Sequence, residues 1–386
     1  MKNFRERVGE QLAGIDAQGL RRRAREVEGP QGPRLWVDGK HVLGLCSNNY
    51  LGLAGHPALS AAARDALAAE GLGSGASRHI SGNMAAHRQA EQALAHYVGH
   101  ASSALFSSGY ACNVGVVQGL VDRHDVVFSD RLNHASLIDG ARLSRAQVVI
   151  YEHADVADLQ RKLQSQRQRG RGALILTESL FSMDGDLAPL VELSALAKRY
   201  DAGLVVDEAH ALGVLGPSGR GLCAERGVTA DVVVGTLGKS FGAQGAFAAG
   251  SDEVVELIRN RARSYIFSTA PAPLMGTVAV AALRLVQEAD GLRATLRAHS
   301  TRLRDGLRRL DYRVPQGDGP IIPVMVGEPG PTMELSRALF ELGVFVHGVR
   351  PPTVPAGTGR LRVVPMASHS TDDIDEALRA FEQVQR

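Results

Sequence analysis

Seven short apolar runs constrain this chain more than any other feature: SALFSS, DVVFSD, QVVIYE, GALILTES, AGLVVDEAH, DVVVGTLG and GAFAAG. Each is branched and apolar throughout rather than alternating. That is how strands buried on both faces of a parallel sheet read. Helical stretches separate the runs, which predicts α/β layering with βαβ crossovers. In such sheets ligands bind beyond the carboxyl ends of the strands, so the residues just after each run are the candidates for chemistry.

Those residues are Ser107 to Tyr110, Asp130 with His134, Glu178 to Asp184, Asp207 to His210, and Thr236 to Lys239. Asp207 follows Gly203-Leu204-Val205-Val206, and a buried carboxylate needs a cationic or hydrogen-bonding partner. A protonated pyridine nitrogen would serve; so would the start of a helix at Glu208 that Asp207 caps. Lys239 follows a branched strand and Gly238. A lysine on such an apolar floor loses its proton more readily and can attack an aldehyde; the plain alternative is a surface-loop lysine. Ser107 to Asn113 join a strand to an apolar helix, whose first N–H groups, with Gly109 and Tyr110, would face an anion. Thr236 can add a hydroxyl. His134 stands at a strand–helix junction, as a ring that stacks on a ligand or as an ordinary loop histidine.

Around this block the chain divides into three. Residues 1–45 form an N-terminal segment, with a polar helix expected to end near Gly29-Pro30 and a hairpin around Asp38-Gly39. Residues 46–285 form a large domain that opens with helices at 56–70 and 84–98. Residues 286–386 form a smaller α+β domain, with strands in IIPVMVG, VFVHGV and RLRVVPMA and a last helix at 371–385. A long helical region covers 273–312. A chain of 386 residues fits a large and a small domain. The formal charge of +2 gives no reason to expect nucleic acid or another polyanion. The basic run Arg21-Arg22-Arg23-Ala24-Arg25 reads first as a solvated helix face. Cys46, Cys112 and Cys223 lie far apart, with no metal-binding spacing, so no metal is expected and a reducing compartment is the simpler setting. No signal-like or membrane-spanning apolar run is present, and the expected location is the cytoplasm.

Three motifs compete for the same residues. Gly238-Lys239-Ser240-Phe241-Gly242 matches the GxSxG elbow, which would make Ser240 a hydrolase nucleophile. The same Gly-Lys-Ser hints at a P-loop, but Val233 stands where that loop needs its first glycine. Gly71 to Ala76 loosely fits a dinucleotide fingerprint, yet follows a helix instead of a strand.

Longer segments decide among these readings. SNNYLGLAGHP, GSGASRHISG, DRLNHASLIDGARLS, TESLFSMDGDLAPL, VDEAHALGVLGPSGRG and TLGKSFG occur in that order. In them the chain resembles the α-oxoamine synthases, fold-type I pyridoxal-phosphate (PLP) enzymes, over nearly its full length. The resemblance implies an α/β PLP-dependent transferase fold, its large domain built on a mainly parallel sheet with a smaller α+β C-terminal domain. It implies pyridoxal 5'-phosphate held covalently by Lys239, with Asp207 on the ring nitrogen and His134 stacked on the ring. His210 and Ser182 would bond near the phenolic oxygen, Gly109 and Tyr110 would bind at the helix start, and Thr236 would reach the phosphate. Lys239, His134, Asp207 and His210 are thus the expected catalytic set, with Glu178 assisting proton transfer. Arg21, His134, Thr353 and Arg362 would contact substrate. Leu20 to Arg23 and Arg350 to Thr358 are similar to the family's biotin-pathway members, which implies decarboxylative condensation of L-alanine with a pimeloyl thioester. It also implies a homodimer with the site at the interface, where Ser268 and Thr269 reach the partner's phosphate. Ser240, Arg78 and Asn83 depart from the closest pattern and bear on selectivity. The alternatives are a sister synthase such as glycine C-acetyltransferase or 5-aminolevulinate synthase, a hydrolase using Ser240, and a catalytically silent binding protein of the same fold.

Overall fold

The computed structural model describes residues 2–385; the first residue of the 1–45 segment and the last of the 286–386 domain lie outside it. The chain forms two compact units. One gathers both ends of the chain, Met1–Ser47 and Thr295–Arg386, with the short insert Met183–Gly185. The other holds Asn48–Ser182 and Asp186–Ala294.

In the first unit the opening helix spans Phe4–Ala17 and stops well short of Gly29. Gly19, at φ 65°, takes the left-handed conformation that ends helices cheaply. The basic run therefore leaves the helix. Strands β1 (Val27–Glu28), β2 (Arg34–Val37) and β3 (Lys40–Gly44) follow, and β2 and β3 pair as the expected hairpin. Asp38 and Gly39 both have positive φ, as a two-residue turn between twisted strands requires.

The second unit carries β4 (Ser102–Phe106), β5 (Val126–Asp130), β6 (Gln147–Tyr151), β7 (Ala173–Glu178), β8 (Gly203–Asp207), β9 (Val232–Thr236) and β10 (Ala246–Gly250). The seven apolar runs are these seven strands, joined in the order β4-β10-β9-β8-β7-β5-β6. Phe106, Val127, Leu174, Leu176, Val205 and Val234 bury one sheet face under helices Gly109–Leu120 and Ala135–Ser144. Leu105, Phe247 and Ala249 bury the other with Leu94, Val278 and Val286. Each Val, Leu or Phe among them, fully buried, contributes about 1.5–3 kcal/mol, so both faces are core. β10 is the exception in the mainly parallel sheet and runs antiparallel to both neighbours. Only the loop 237–245 links it to β9, too short for the dozen or more residues a parallel crossover needs.

The remaining strands complete the first unit: β11 (Ile322–Gly327), β12 (Val344–Phe345), β13 (His347–Val349) and β14 (Gly359–Val363). VFVHGV, expected as one strand, divides at Val346. β12 pairs with β3, and β13 pairs with β14. The 273–312 stretch is likewise two helices, Pro273–Gln287 and Asp290–Arg309.

Candidate active site

Parallel strands bring their carboxyl ends to one edge, and β5, β7, β8 and β9 deliver Asp130, Glu178, Asp207 and Thr236 there. Asp207 is 5% exposed. Its Oδ2 accepts from Asn113 Nδ2 at 2.7 Å and its Oδ1 from the Ala209 N–H at 2.8 Å. It caps the turn that follows, as the capping alternative expects, although no helix begins at Glu208.

Glu178 is the register partner of Asp207 on the neighbouring strand and is just as buried. Burial, then the Asp207 charge, pushes the Glu178 carboxyl up to about 8, so it holds its proton near neutrality. Its Oε2 accepts the N–H of Ser182 at 3.3 Å, which seats Ser182 at the same edge. Buried His210 meets the Tyr50 hydroxyl through Nδ1 at 2.6 Å.

Lys239 is half-buried in the loop after β9. The loop is pinned by bonds from Leu237 N to Gly245 O, Ala243 N to Leu237 O, and Gly242 N to Lys239 O. Gly242 is needed here: its φ is 64°, and a Cβ would lie 2.4 Å from Ala54 N. Thr236 Oγ1 donates to Gly245 O at 3.2 Å and accepts the Gly238 N–H at 3.3 Å.

Gly109 and Tyr110 open helix Gly109–Leu120, capped by the Ser108 hydroxyl. The Tyr110 hydroxyl donates to Asp139 Oδ2 at 2.6 Å, and that carboxylate raises its pKa. His134 caps helix Ala135–Ser144 by accepting the Ser136 N–H. It keeps solvent access, but the protein around the rest of the ring disfavours its charged form. That desolvation, with Lys239 acting the same way and Asp207 opposing, lowers its pKa.

Three expected site residues fall in the other unit. Arg21 pairs with Asp16 at 3.0 Å, and its carbonyl accepts from Arg350. Arg22, not Arg21, donates to Thr353 Oγ1, at 3.1 Å. Arg362 is buried on β14 near Cys46, whose thiol burial pushes up to about 12.

Ser240 lies 1% exposed, and among the described residues its hydroxyl makes no hydrogen bond. A hydrolase serine needs a base within reach, so this geometry gives GxSxG no catalytic meaning. Sequence reasoning gave Asn113, Ser136 and Tyr50 no role of their own, and read Glu208 only as the start of a turn. Asn113 left one trace, a lone amide within the apolar run GYACNVGVV. Glu208, fully buried, accepts from Ser179 Oγ and from the N–H groups of Leu222 and Cys223, and so fixes the chain beyond Asp207.

The donor set matches a phosphorylated pyridine aldehyde. It has an amine for the aldehyde, a buried carboxylate with neutral donors for the ring nitrogen, and a helix start for the phosphate. An α/β unit with this edge defines a PLP-binding protein, and the sequence model "Aminotransferase class I and II" matches residues 40–381. The chain belongs to that family. It is 49% identical over 381 residues to 8-amino-7-oxononanoate synthase of Geobacter sulfurreducens, covering 98% of this chain and 97% of the relative. With the synthase of the same name from Geotalea daltonii it is 47% identical over 382 residues, covering 98% and 97%.

Solved structures agree. A serine palmitoyltransferase solved with PLP superposes with a TM-score of 0.93 at 31% identity, covering 100% of this chain and 99% of that one. An 8-amino-7-oxononanoate synthase from Francisella tularensis gives a TM-score of 0.78 at 27% identity, covering 89% and 98%. The cofactor is accordingly pyridoxal 5'-phosphate.

Proposed function

We infer that this chain condenses L-alanine with a pimeloyl thioester, carried on CoA or on a carrier protein, to 8-amino-7-oxononanoate, CO2 and the free thiol. The reading rests on near-full-length identity to synthases of that name, together with the Lys239–Asp207–His134 edge. When bound, pyridoxal phosphate supplies a conjugated ring that accepts the electron pair left on the amino acid Cα.

The chain's own residues do the rest. Lys239 Nζ would hold the cofactor covalently, and as a free amine it would take the Cα proton of alanine. Asp207 would pair with the ring nitrogen. His210 and Ser182 would bond near the phenolic oxygen. Gly109, Tyr110 and Thr236 would hold the phosphate end. His134 would cover the ring and border the substrate. Glu178, protonated near neutrality, is a proton donor beside Asp207. Arg362 would meet the alanine carboxylate, and Arg21 and Thr353 would contact substrate.

A homodimer in the cytoplasm completes the reading. Leu72, Ile80 and Phe267 are at least 70% exposed. The last two sit near the Ser77–Thr269 bridge, an apolar surface suited to a second copy. No helix among the described residues is long and apolar enough to cross a membrane.

The test incubates the purified chain, loaded with pyridoxal phosphate, with alanine or glycine and with pimeloyl-, acetyl- or succinyl-CoA, and weighs the products. The expected result is 8-amino-7-oxononanoate from alanine and pimeloyl-CoA. Turnover only with glycine would move the chain to a sister synthase.

A further inference from the structure

Beyond the residues that the family resemblance assigns, two buried side chains link Asp207 to His134. Asn113, 2% exposed, has two amide hydrogens and uses both. One goes to Asp207 Oδ2 at 2.7 Å, the other to Ser136 Oγ at 2.9 Å. Turning the amide over would set its oxygen against a carboxylate oxygen, so the orientation is fixed by the network. The Ser136 hydroxyl, having accepted that bond, gives its own hydrogen to His134 Nδ1 at 2.7 Å. The Ser136 backbone N–H also donates to Nδ1, at 3.3 Å. A backbone N–H can only donate. Nδ1 therefore carries no proton, and the neutral ring keeps its proton on Nε2.

The amide is retained at a cost. Asn113 Oδ1 is buried and, among the described residues, makes no hydrogen bond. A buried acceptor left unpaired is unfavourable, and an apolar residue of similar size would avoid it. Against that cost, its two donors satisfy the buried Asp207 carboxylate and the Ser136 hydroxyl.

We propose that Asn113 and Ser136 are positioning residues that tie Asp207 and His134 into one hydrogen-bonded unit, with the imidazole proton held on Nε2. The proposal rests on the reading of Asp207 and His134 as cofactor-binding groups. Neither Asn113 nor Ser136 need touch substrate. Asn113 sets the donors Asp207 receives, and Ser136 sets the tautomer of His134.

The test uses the full chain as wild type, Asn113→Leu, Ser136→Ala and the double variant, each checked for folding by far-UV circular dichroism. Histidine 15N NMR of the chain without cofactor reads the His134 tautomer. The expected wild-type signal has a pyridine-like Nδ1 and a protonated Nε2, and Ser136→Ala gives a mixture of tautomers. Titration with pyridoxal phosphate, followed by visible absorbance, reads affinity. Each single variant is expected to weaken binding, Asn113→Leu by about tenfold or more as the loss of a hydrogen bond to a charged group implies. The double variant should lose less than the product of the two.

Wild-type-like affinity and His134 signals in Ser136→Ala would overturn the proposal, and that variant removes so little volume that it serves if Asn113→Leu does not fold. Losses that simply multiply would also overturn it, since the residues would then act separately. Borohydride reduction of the loaded wild type separates this proposal from the reading beneath it. An adduct on Lys239 with indifferent variants sinks only the proposal. No adduct on Lys239 sinks both.

Discussion

Asp130 and Asp207 each end a buried parallel strand of the same sheet, and the fold uses them in opposite ways. Asp130 is closed on a cation. His153 meets it through Nδ1 at 3.0 Å and meets Asp186 through Nε2 at 2.7 Å, with its ring edge-on to Phe181. The N–H groups of Leu132 and Ala154 complete the Asp130 carboxylate. Burial opposes the charge on His153, but hydrogen bonds to the two carboxylates outweigh it and push its pKa up to about 10. Asp207 receives its hydrogen bonds from neutral donors, the Asn113 amide and the Ala209 N–H. A carboxylate satisfied by a cation is structure. One satisfied by neutral donors can still take a cationic ligand.

The most severe way to break this contrast is to remove the amine at the Asp207 edge. Lys239→Ala should lose the borohydride-fixed adduct and about 10²–10⁴-fold in turnover, the range for a positioned acid–base group. Peptide mapping of the adduct checks it, and attachment to another lysine would mean that this edge is not the working site.

Exchanging the two aspartates tests the contrast directly. Asp130→Asn leaves His153 with Asp186 as its one carboxylate partner and should cost about 1.5–3 kcal/mol, as a lost hydrogen bond to a charged group does, with pyridoxal phosphate affinity retained. Asp207→Asn should do the reverse, weakening cofactor binding about tenfold or more with a smaller loss in urea midpoint. Equal effects of both variants on affinity would erase the distinction.

Acidity sharpens it further. His153 has its folded pKa raised above its unfolded value of 6.5. Its contribution to stability is full below about 6.5 and is lost as pH rises through about 10. His153→Gln should flatten the urea midpoint over that window. Glu178 is likewise raised, from 4.5 to about 8, because its neutral form is preferred in the fold. Stability should therefore fall as pH rises from about 4.5 to about 8 and level off above. Glu178→Gln, which mimics the protonated acid, should remove that slope; an unchanged slope would show that Glu178 ionises normally. The smallest effect is expected at the exposed Arg21–Asp16 pair, where Asp16→Asn should change stability by less than about 1 kcal/mol.

Much of this was legible along the chain. Apolar runs marked all seven strands, and the polar residues after them marked the edge that carries Asp207 and Thr236. Other features were hidden for identifiable reasons. The long N-terminal helix failed because helical composition continues past Gly19, whose left-handed backbone stops the helix. GAFAAG marked β10 as a strand but not its antiparallel direction, because periodicity is blind to direction. Val346 looked like the middle of one strand, yet β12 and β13 belong to different sheets.

The sequence by itself determined the strands, their burial on both faces, and the family, because these follow from local composition and from long ordered motifs. Only the tertiary structure decided what each polar strand end is for. A carboxylate's partner is set by whatever distant chain is folded beside it. Asn113 reaches Asp207 from a helix 94 positions earlier, and His153 reaches Asp130 from 23 positions later. Nothing in the sequence around either aspartate tells the closed site from the open one.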